Sequence, residues 1–248
     1  MLTVHHLNNS RSQRILWLLE ELGVPYRIEK YQRLSPIPLA PTELKKVHPL
    51  GKSPVITDEG HTIAESGAII EYILDHYGKG RLRPDRGSDD YIGYVEWMHY
   101  AEGSAMLPLL LHLYAGFLGE GAAPLRPRID GEIANQLSYI AGAVDGREFI
   151  VGNALTGADI QIAFVLEAAA ASGLLKDRPA LETWLARLQK AACVQACDRK
   201  RRAVRSFSEP APKRVAFQAA NRSLAAARRP SAGTDDVAAA SPKSGMLP

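Results

Sequence analysis

Three short stretches of this chain carry side chains able to hold a small charged molecule: Ser10 in HHLNNSRSQRILWLLEELG, Lys52-Ser53-Pro54 in HPLGKSPVI, and Glu65-Ser66 in HTIAESGAIIEYIL. Ser10 stands where a strand hands over to a helix. Its hydroxyl has one proton to give and two lone pairs to accept with. It can therefore cap the helix, as the S-x-x-Q pattern from Ser10 to Gln13 suggests, and it can also donate to a bound thiolate. A helix N-terminus adds exposed N–H groups and a favourable dipole for such an anion. Lowering a thiol pKa by about two units takes roughly 2.7 kcal/mol. One charge-assisted hydrogen bond and a helix terminus are enough to supply that.

Pro54 opens a strand. One reading is an edge strand, where the missing N–H is not needed. The other is a cis Ser53–Pro54 bond that turns the Ser53 backbone toward a ligand, which then pairs like an added strand. Ser66 can cap the next helix, or that helix can offer its N–H groups to a carboxylate while Glu65 takes an ammonium group. Lys52 reads either as a solvated loop lysine or as the holder of a second carboxylate. Taken together, these groups suit a small anionic peptide bearing a thiol.

The elements that must position these groups are legible from periodicity. Residues 2–6 alternate as a short buried strand, and Ile15, Leu18, Leu19 and Leu22 mark an amphipathic helix ended by Gly23 and Pro25. Residues 26–31 read as a second strand, parallel to the first in a βαβ unit. The proline-rich segment 35–41 is a loop, and 43–47 a short helix. Residues 54–57 and 61–63 form a hairpin around Asp58-Glu59-Gly60. Ile70, Ile73, Leu74 and Tyr77 mark the next helix. The order βαβ-α-ββα is thioredoxin-like.

Only helices follow. A long one starts near Asp89 with Tyr91, Tyr94, Val95 and Met98, and Pro108 should kink or interrupt it. Another spans about 125–144. A third begins at Thr156, where Thr156 and Asp159 form a capping box and Leu155 and Ile160 a hydrophobic staple. The last carries Leu181, Trp184, Leu185 and Leu188. The expected units are 1–80, an α/β thioredoxin-like domain; 81–88, a linker; 89–205, an all-α domain; and 206–248, a disordered basic tail rich in Ala, Ser, Pro and Arg.

The 248 residues are 46% hydrophobic and 23% charged, which suits a soluble globular protein. The net charge of +3 is unevenly spread: residues 198–248 hold 11 Lys or Arg against 4 Asp or Glu, and residues 1–197 hold 19 against 23. The mildly acidic body gives no reason to expect specific nucleic-acid binding. The longest apolar stretch, Met106–Leu118, is too short for a membrane span. The chain shows no secretory signal, and its two cysteines, Cys193 and Cys197, make no disulfide framework, so a reducing cytoplasmic setting is expected. Those cysteines lack ligand partners at metal spacing, read as free thiols, and leave no metal expected.

The phrases NSRSQRILWLLEELGVPY, ELKKVHPLGKSPVI, IAESGAIIEYIL, YAEGSAMLPLL and LTGADIQIAF together resemble the glutathione transferase superfamily, most nearly the branch shared by yeast and bacterial enzymes. The resemblance covers about residues 2–195. It implies a thioredoxin-like domain followed by an all-helical one, a homodimer, glutathione as co-substrate, and conjugation to a small hydrophobic electrophile. By position, Ser10 matches the serine of serine-type members, four residues before Arg14. Lys52, Ser53, Pro54, Glu65 and Ser66 match glutathione-holding positions, and the electrophile pocket falls near Tyr100 and Met106. Asn8, Asn9 and Ser12 are rival donors to the sulfur. No cysteine lies near position 10, and His5-His6 replaces the first-strand tyrosine of tyrosine-type members. The same site can reduce hydroperoxides. The competing reading is a non-catalytic scaffold that keeps the fold and binds partners.

Overall fold

The computed structural model describes residues 1–35 and 39–190. Part of the proline-rich loop, both cysteines and the expected tail 206–248 lie outside the described residues. Strand β1 (Thr3–Leu7) is followed by α1 (Ser12–Leu22), β2 (Arg27–Tyr31), α2 (Leu44–Val47), β3 (Val55–Asp58), β4 (His61–Ala64) and α3 (Ser66–Tyr77). The sheet order is β2-β1-β3-β4. β1 runs parallel to β2, with Val4 opposite Ile28, and antiparallel to β3, with Val4 opposite Ile56. Gly23 ends α1 in the left-handed conformation, φ 69°, which costs a glycine little. The apolar stripe of α1 closes over the sheet with α3: Ile15, Leu18, Leu19, Ile69, Ile70 and Ile73 are all fully buried.

The helical part comprises α4 (Asp89–Tyr100), a π-helical turn (Ala101–Ala105), α5 (Met106–Leu118), a 3₁₀ turn (Gly119–Ala122), α6 (Arg126–Val144), α7 (Gly157–Ala171) and α8 (Pro179–Gln189). The interruption expected of Pro108 falls one turn earlier. A proline clashes with the carbonyl four residues before it, here Ser104, and the π turn containing Ser104 absorbs the misfit. An 18-residue window within Asp89–Ala122 reaches a mean hydropathy of 1.2, long and apolar enough by composition alone to cross a membrane. Its buried side chains Tyr94, Trp97, Met98, Ala105 and Leu109 belong to the protein's own core.

The two parts share that core. At Gly157 a Cβ would come within 2.9 Å of Ile70 and 3.2 Å of the Tyr94 hydroxyl, so only glycine lets α7 start this close to α3 and α4. The Tyr94 hydroxyl also donates to Glu71 across the same boundary. Burial, followed by that bond to Glu71, raises the tyrosine pKa.

The capping box at α7 forms as its sequence pattern implies. Asp159 is fully buried and accepts from Thr156 N–H at 2.8 Å, Thr156 Oγ1 at 2.9 Å and Ile150 N–H at 2.8 Å. The last bond ties the preceding loop to the helix start. Replacing Asp159 with Ala orphans two buried backbone donors, so the variant should lose about 3 kcal/mol of stability in urea unfolding. A loss under 1 kcal/mol would mean that these donors find other partners.

Candidate functional site

Ser10 lies at the start of α1. Arg11 already has helical dihedrals, and the Ser10 hydroxyl oxygen accepts the Ser12 N–H at 3.3 Å. Ser10 Oγ is 2.8 Å from Ser12 Oγ and 3.4 Å from Ser53 Oγ, to which it donates. Ser53 in turn donates to the His5 carbonyl at 2.9 Å and accepts the Leu7 N–H at 3.3 Å. These bonds bring the end of β1, the start of α1 and the residue before β3 to one point. The Ser53–Pro54 bond is cis, and Pro54 precedes a strand that is inside the sheet, not at its edge. Lys52 is exposed.

At α3 the structure corrects one expectation. Ser66 does not cap the helix. Glu65 holds the N-cap position, no side-chain cap bond forms, and Ser66 is the first helical residue. Its buried hydroxyl instead accepts from Arg14 Nη1 at 3.3 Å. Glu65 is exposed and sits at φ 67°, ψ 119°, a costly conformation for a residue with a Cβ. Glu65, Ser66 and the first N–H groups of α3 therefore remain at a helix end that no side chain caps.

Among the rival donors, Asn8 and Asn9 are engaged by Arg33. The Asn8 side-chain oxygen accepts the Arg33 N–H at 2.8 Å, and the Arg33 guanidinium donates to the carbonyls of Asn8 and Asn9 at 3.1 and 3.0 Å. The Arg33 pKa is lowered, first by burial and then by the nearby charge of Arg11. Two cations thus flank the Ser10 loop, an environment that favours an anion.

Three further residues tie this loop to the helical part, and the sequence reading did not single them out as functional. Arg14 is 2% exposed and forms an ion pair with Glu102 of the π turn at 2.9 Å. It also donates to Gln161 Oε1 of α7, and its guanidinium lies 4.4 Å from the centre of the Phe164 ring. Arg11 Nε reaches both Glu102 oxygens at 2.8 and 2.9 Å. Burial pulls the Arg14 pKa down to about 10, against the pull of Glu102. Burial pushes Glu102 upward, but the charges and hydrogen bonds of Arg14 and Arg11 reverse this and leave its pKa lowered. A signal was available in each case. Arg14 lies on the buried stripe of α1 at i−4 from Leu18, Gln161 interrupts the apolar Ile160-Ile162 run, and Glu102 sits in YAEGSAM.

Tyr100 and Met106 are the two residues expected near an electrophile pocket. Met106 is 2% exposed within the core. Tyr100 packs against Trp97 and Tyr139 and donates to Gln136 Oε1 at 2.6 Å. The exposed large apolar side chains of α5 are Leu107, Leu111, Tyr114 and Leu118. Their spacing puts them on one face of α5. Among the described residues, no group of three or more His, Cys, Asp or Glu side chains is placed to hold a metal ion.

A thioredoxin-like sheet followed by an all-helical domain is the arrangement of the glutathione transferase fold. The family model for the glutathione S-transferase N-terminal domain matches residues 1–75, and that for the C-terminal domain matches residues 97–191. The chain is 36% identical over 183 residues to glutathione S-transferase 3 of Schizosaccharomyces pombe, covering 68% of this chain and 74% of that one. It is 31% identical over 231 residues to glutathione S-transferase 1 of Saccharomyces cerevisiae, covering 83% and 97%. A glutathione S-transferase structure from Actinobacillus pleuropneumoniae superposes with a TM-score of 0.74 at 32% identity, over 81% of this chain and 92% of that one. The transferase URE2P6 of Phanerochaete chrysosporium, solved with oxidized glutathione, shares the fold at a TM-score of 0.67 and 23% identity, over 82% and 97%. The chain belongs to the glutathione S-transferase family and is a transferase.

Breaking the Glu102 bridge tests what joins the two domains. Glu102→Gln leaves the buried Arg14 charge without its carboxylate and should cost roughly 3 kcal/mol at neutral pH. Because the folded-state pKa of Glu102 lies below its ordinary 4.5, the stabilisation is complete above that value and is lost as pH falls through the folded pKa. Denaturant unfolding should therefore show the gap between wild type and variant closing below about pH 4.5. A gap independent of pH would assign the loss to packing.

Proposed function

We propose that this transferase binds glutathione beside Ser10 and uses it, as the thiolate, to attack small hydrophobic electrophiles. The observation that carries this reading is the Ser10 hydroxyl: buried, held by the Ser12 N–H at a helix N-terminus, and flanked by Arg11 and Arg33. Ser10 donates to the sulfur. Ser53 docks the middle of the peptide through its backbone. Glu65 takes the γ-glutamyl ammonium group, while Ser66 and the N–H groups of α3 take its carboxylate. Lys52 takes the glycyl carboxylate. The thiolate lone pair forms a carbon–sulfur bond with the electrophile, and a leaving group departs or an activated double bond takes up a proton. Attack on a hydroperoxide oxygen uses the same nucleophile.

The exposed face of α5, with Leu107, Leu111 and Tyr114, is proposed as the apolar wall for the electrophile, in place of Met106. The protein is proposed to act in the cytoplasm as a homodimer through α3 and α4. Light scattering at micromolar concentration should give twice the chain mass, and a single-chain mass would remove that part of the proposal.

The central experiment is glutathione affinity together with turnover on a panel of aryl halides, enals and hydroperoxides. Ser10→Ala should raise the pH at which the ultraviolet thiolate signal of bound glutathione appears. Glu65→Ala and Ser66→Ala should weaken glutathione binding more than they slow bound chemistry, because both act away from the sulfur. Failure to bind glutathione at all would favour the scaffold reading.

A further inference from the structure

The buried imidazole of His6 has no part in the reading above. Its Nδ1 is 2.9 Å from Ser12 Oγ, which is 2.8 Å from Ser10 Oγ. The three side chains are 4%, 0% and 6% exposed, so water does not compete freely for these contacts. Two hydroxyl oxygens 2.8 Å apart have a proton between them, and each hydroxyl has only one to give. If Ser10 gives its proton to a thiolate, the proton between Ser10 and Ser12 comes from Ser12. Ser12 then has none for His6 or for the Leu7 carbonyl, to which its bond is a longer 3.4 Å, so the proton in the His6 contact comes from His6 Nδ1. Ser53 donates to the His5 carbonyl at 2.9 Å and can only accept from Ser10, at a longer 3.4 Å. It is therefore a weaker rival for the Ser10 proton than a charged sulfur.

We propose that His6, acting through Ser12, orients the Ser10 hydroxyl toward the bound thiolate. The hydrogen bonds run from His6 Nδ1–H to Ser12, from Ser12 to Ser10, and from Ser10 to sulfur. His6 and Ser12 are positioning residues, and Ser10 alone touches the sulfur. The inference rests on the assignment of Ser10 made under Proposed function. The opposite arrangement, with a lone pair on Nδ1, draws the Ser12 proton toward His6. The Ser10 proton then turns to Ser12 and away from the ligand. Successive donors in one direction polarise one another, so the chain strengthens its last bond. Neighbouring His5 is engaged differently, by the Tyr31 hydroxyl at 3.1 Å and Thr57 Oγ1 at 3.2 Å. The charged groups around the loop, Arg11 and Arg14 on α1, Arg33 after β2 and Glu102 of the π turn, stay constant when Ser12 is changed.

Two measurements on the full chain test this. Nitrogen-15 NMR of histidine-labelled protein saturated with glutathione should show His6 Nδ1 carrying a proton. An unprotonated Nδ1 overturns the proposal and needs no variant. Ultraviolet titration of bound glutathione should show the thiol pKa rising by about half a unit to one unit in Ser12→Ala, a three- to tenfold loss of thiolate below the pKa. The glutathione KM should change little, and Ser12→Thr should restore the wild-type titration. Ser10→Ala is run alongside. A shift in Ser10→Ala with none in Ser12→Ala overturns the chain alone. No shift in either overturns the underlying assignment of Ser10.

Discussion

The ion cluster at Glu102 governs how the two halves of this protein meet. A buried arginine is tolerable only if its charge is matched, and Arg14 has one carboxylate, Glu102, bonded to it. That carboxylate comes from the π turn of the second domain, while Arg14 and Arg11 come from the first helix of the thioredoxin-like domain. Separating the domains would break the Arg14–Glu102 pair and expose the shared apolar core, so both favour the same arrangement. The cluster also lies where the chemistry is expected. Arg11 follows Ser10 directly, and Arg14 holds the Ser66 hydroxyl. One buried cation thereby links the start of α1 to the start of α3.

The serine cluster is built on a different principle. Ser10, Ser12 and Ser53 come from a loop, a helix and the segment before β3, and they meet through hydroxyls, not charges. A hydroxyl is a useful connector in a confined space because it donates once and accepts twice. Such a cluster can satisfy backbone groups, here the His5 carbonyl and the Leu7 N–H, and still present a proton outward. A carboxylate in the same place would repel the anion that the flanking arginines favour.

The π turn connects these features to the long helical rod. Pro108 forbids a regular hydrogen bond to Ser104, and the chain answers with one wider turn. That turn contributes Glu102, and the helix beyond it presents Leu107, Leu111 and Tyr114 together on one exposed face. A local defect in helix geometry is thus where the bridging carboxylate sits and where the apolar face begins.

The order of strands and helices was legible in the sequence because periodicity and turn residues are local. Leu2 and Val4 alternate, Ile15 to Leu22 repeats at helical spacing, Gly23 and Pro25 stop the helix, and Thr156 with Asp159 starts another. Ser10, Lys52, Ser53, Glu65 and Ser66 stand out in the sequence as junction residues, and the structure brings Ser10 and Ser53 into contact. The tertiary structure decided what those side chains touch. Ser66 read as a cap, yet it faces Arg14, because a partner 52 residues away competes for its hydroxyl. Met106 and Leu107 are adjacent and equally apolar, yet one is core and the other surface. Which side of a helix is covered depends on neighbours that the local pattern does not name. Glu102, Arg14 and Gln161 are separated by 88 and 147 residues in the two pairs that Arg14 makes. No local rule pairs groups across such distances. Only the closing of two domains around one charge does so.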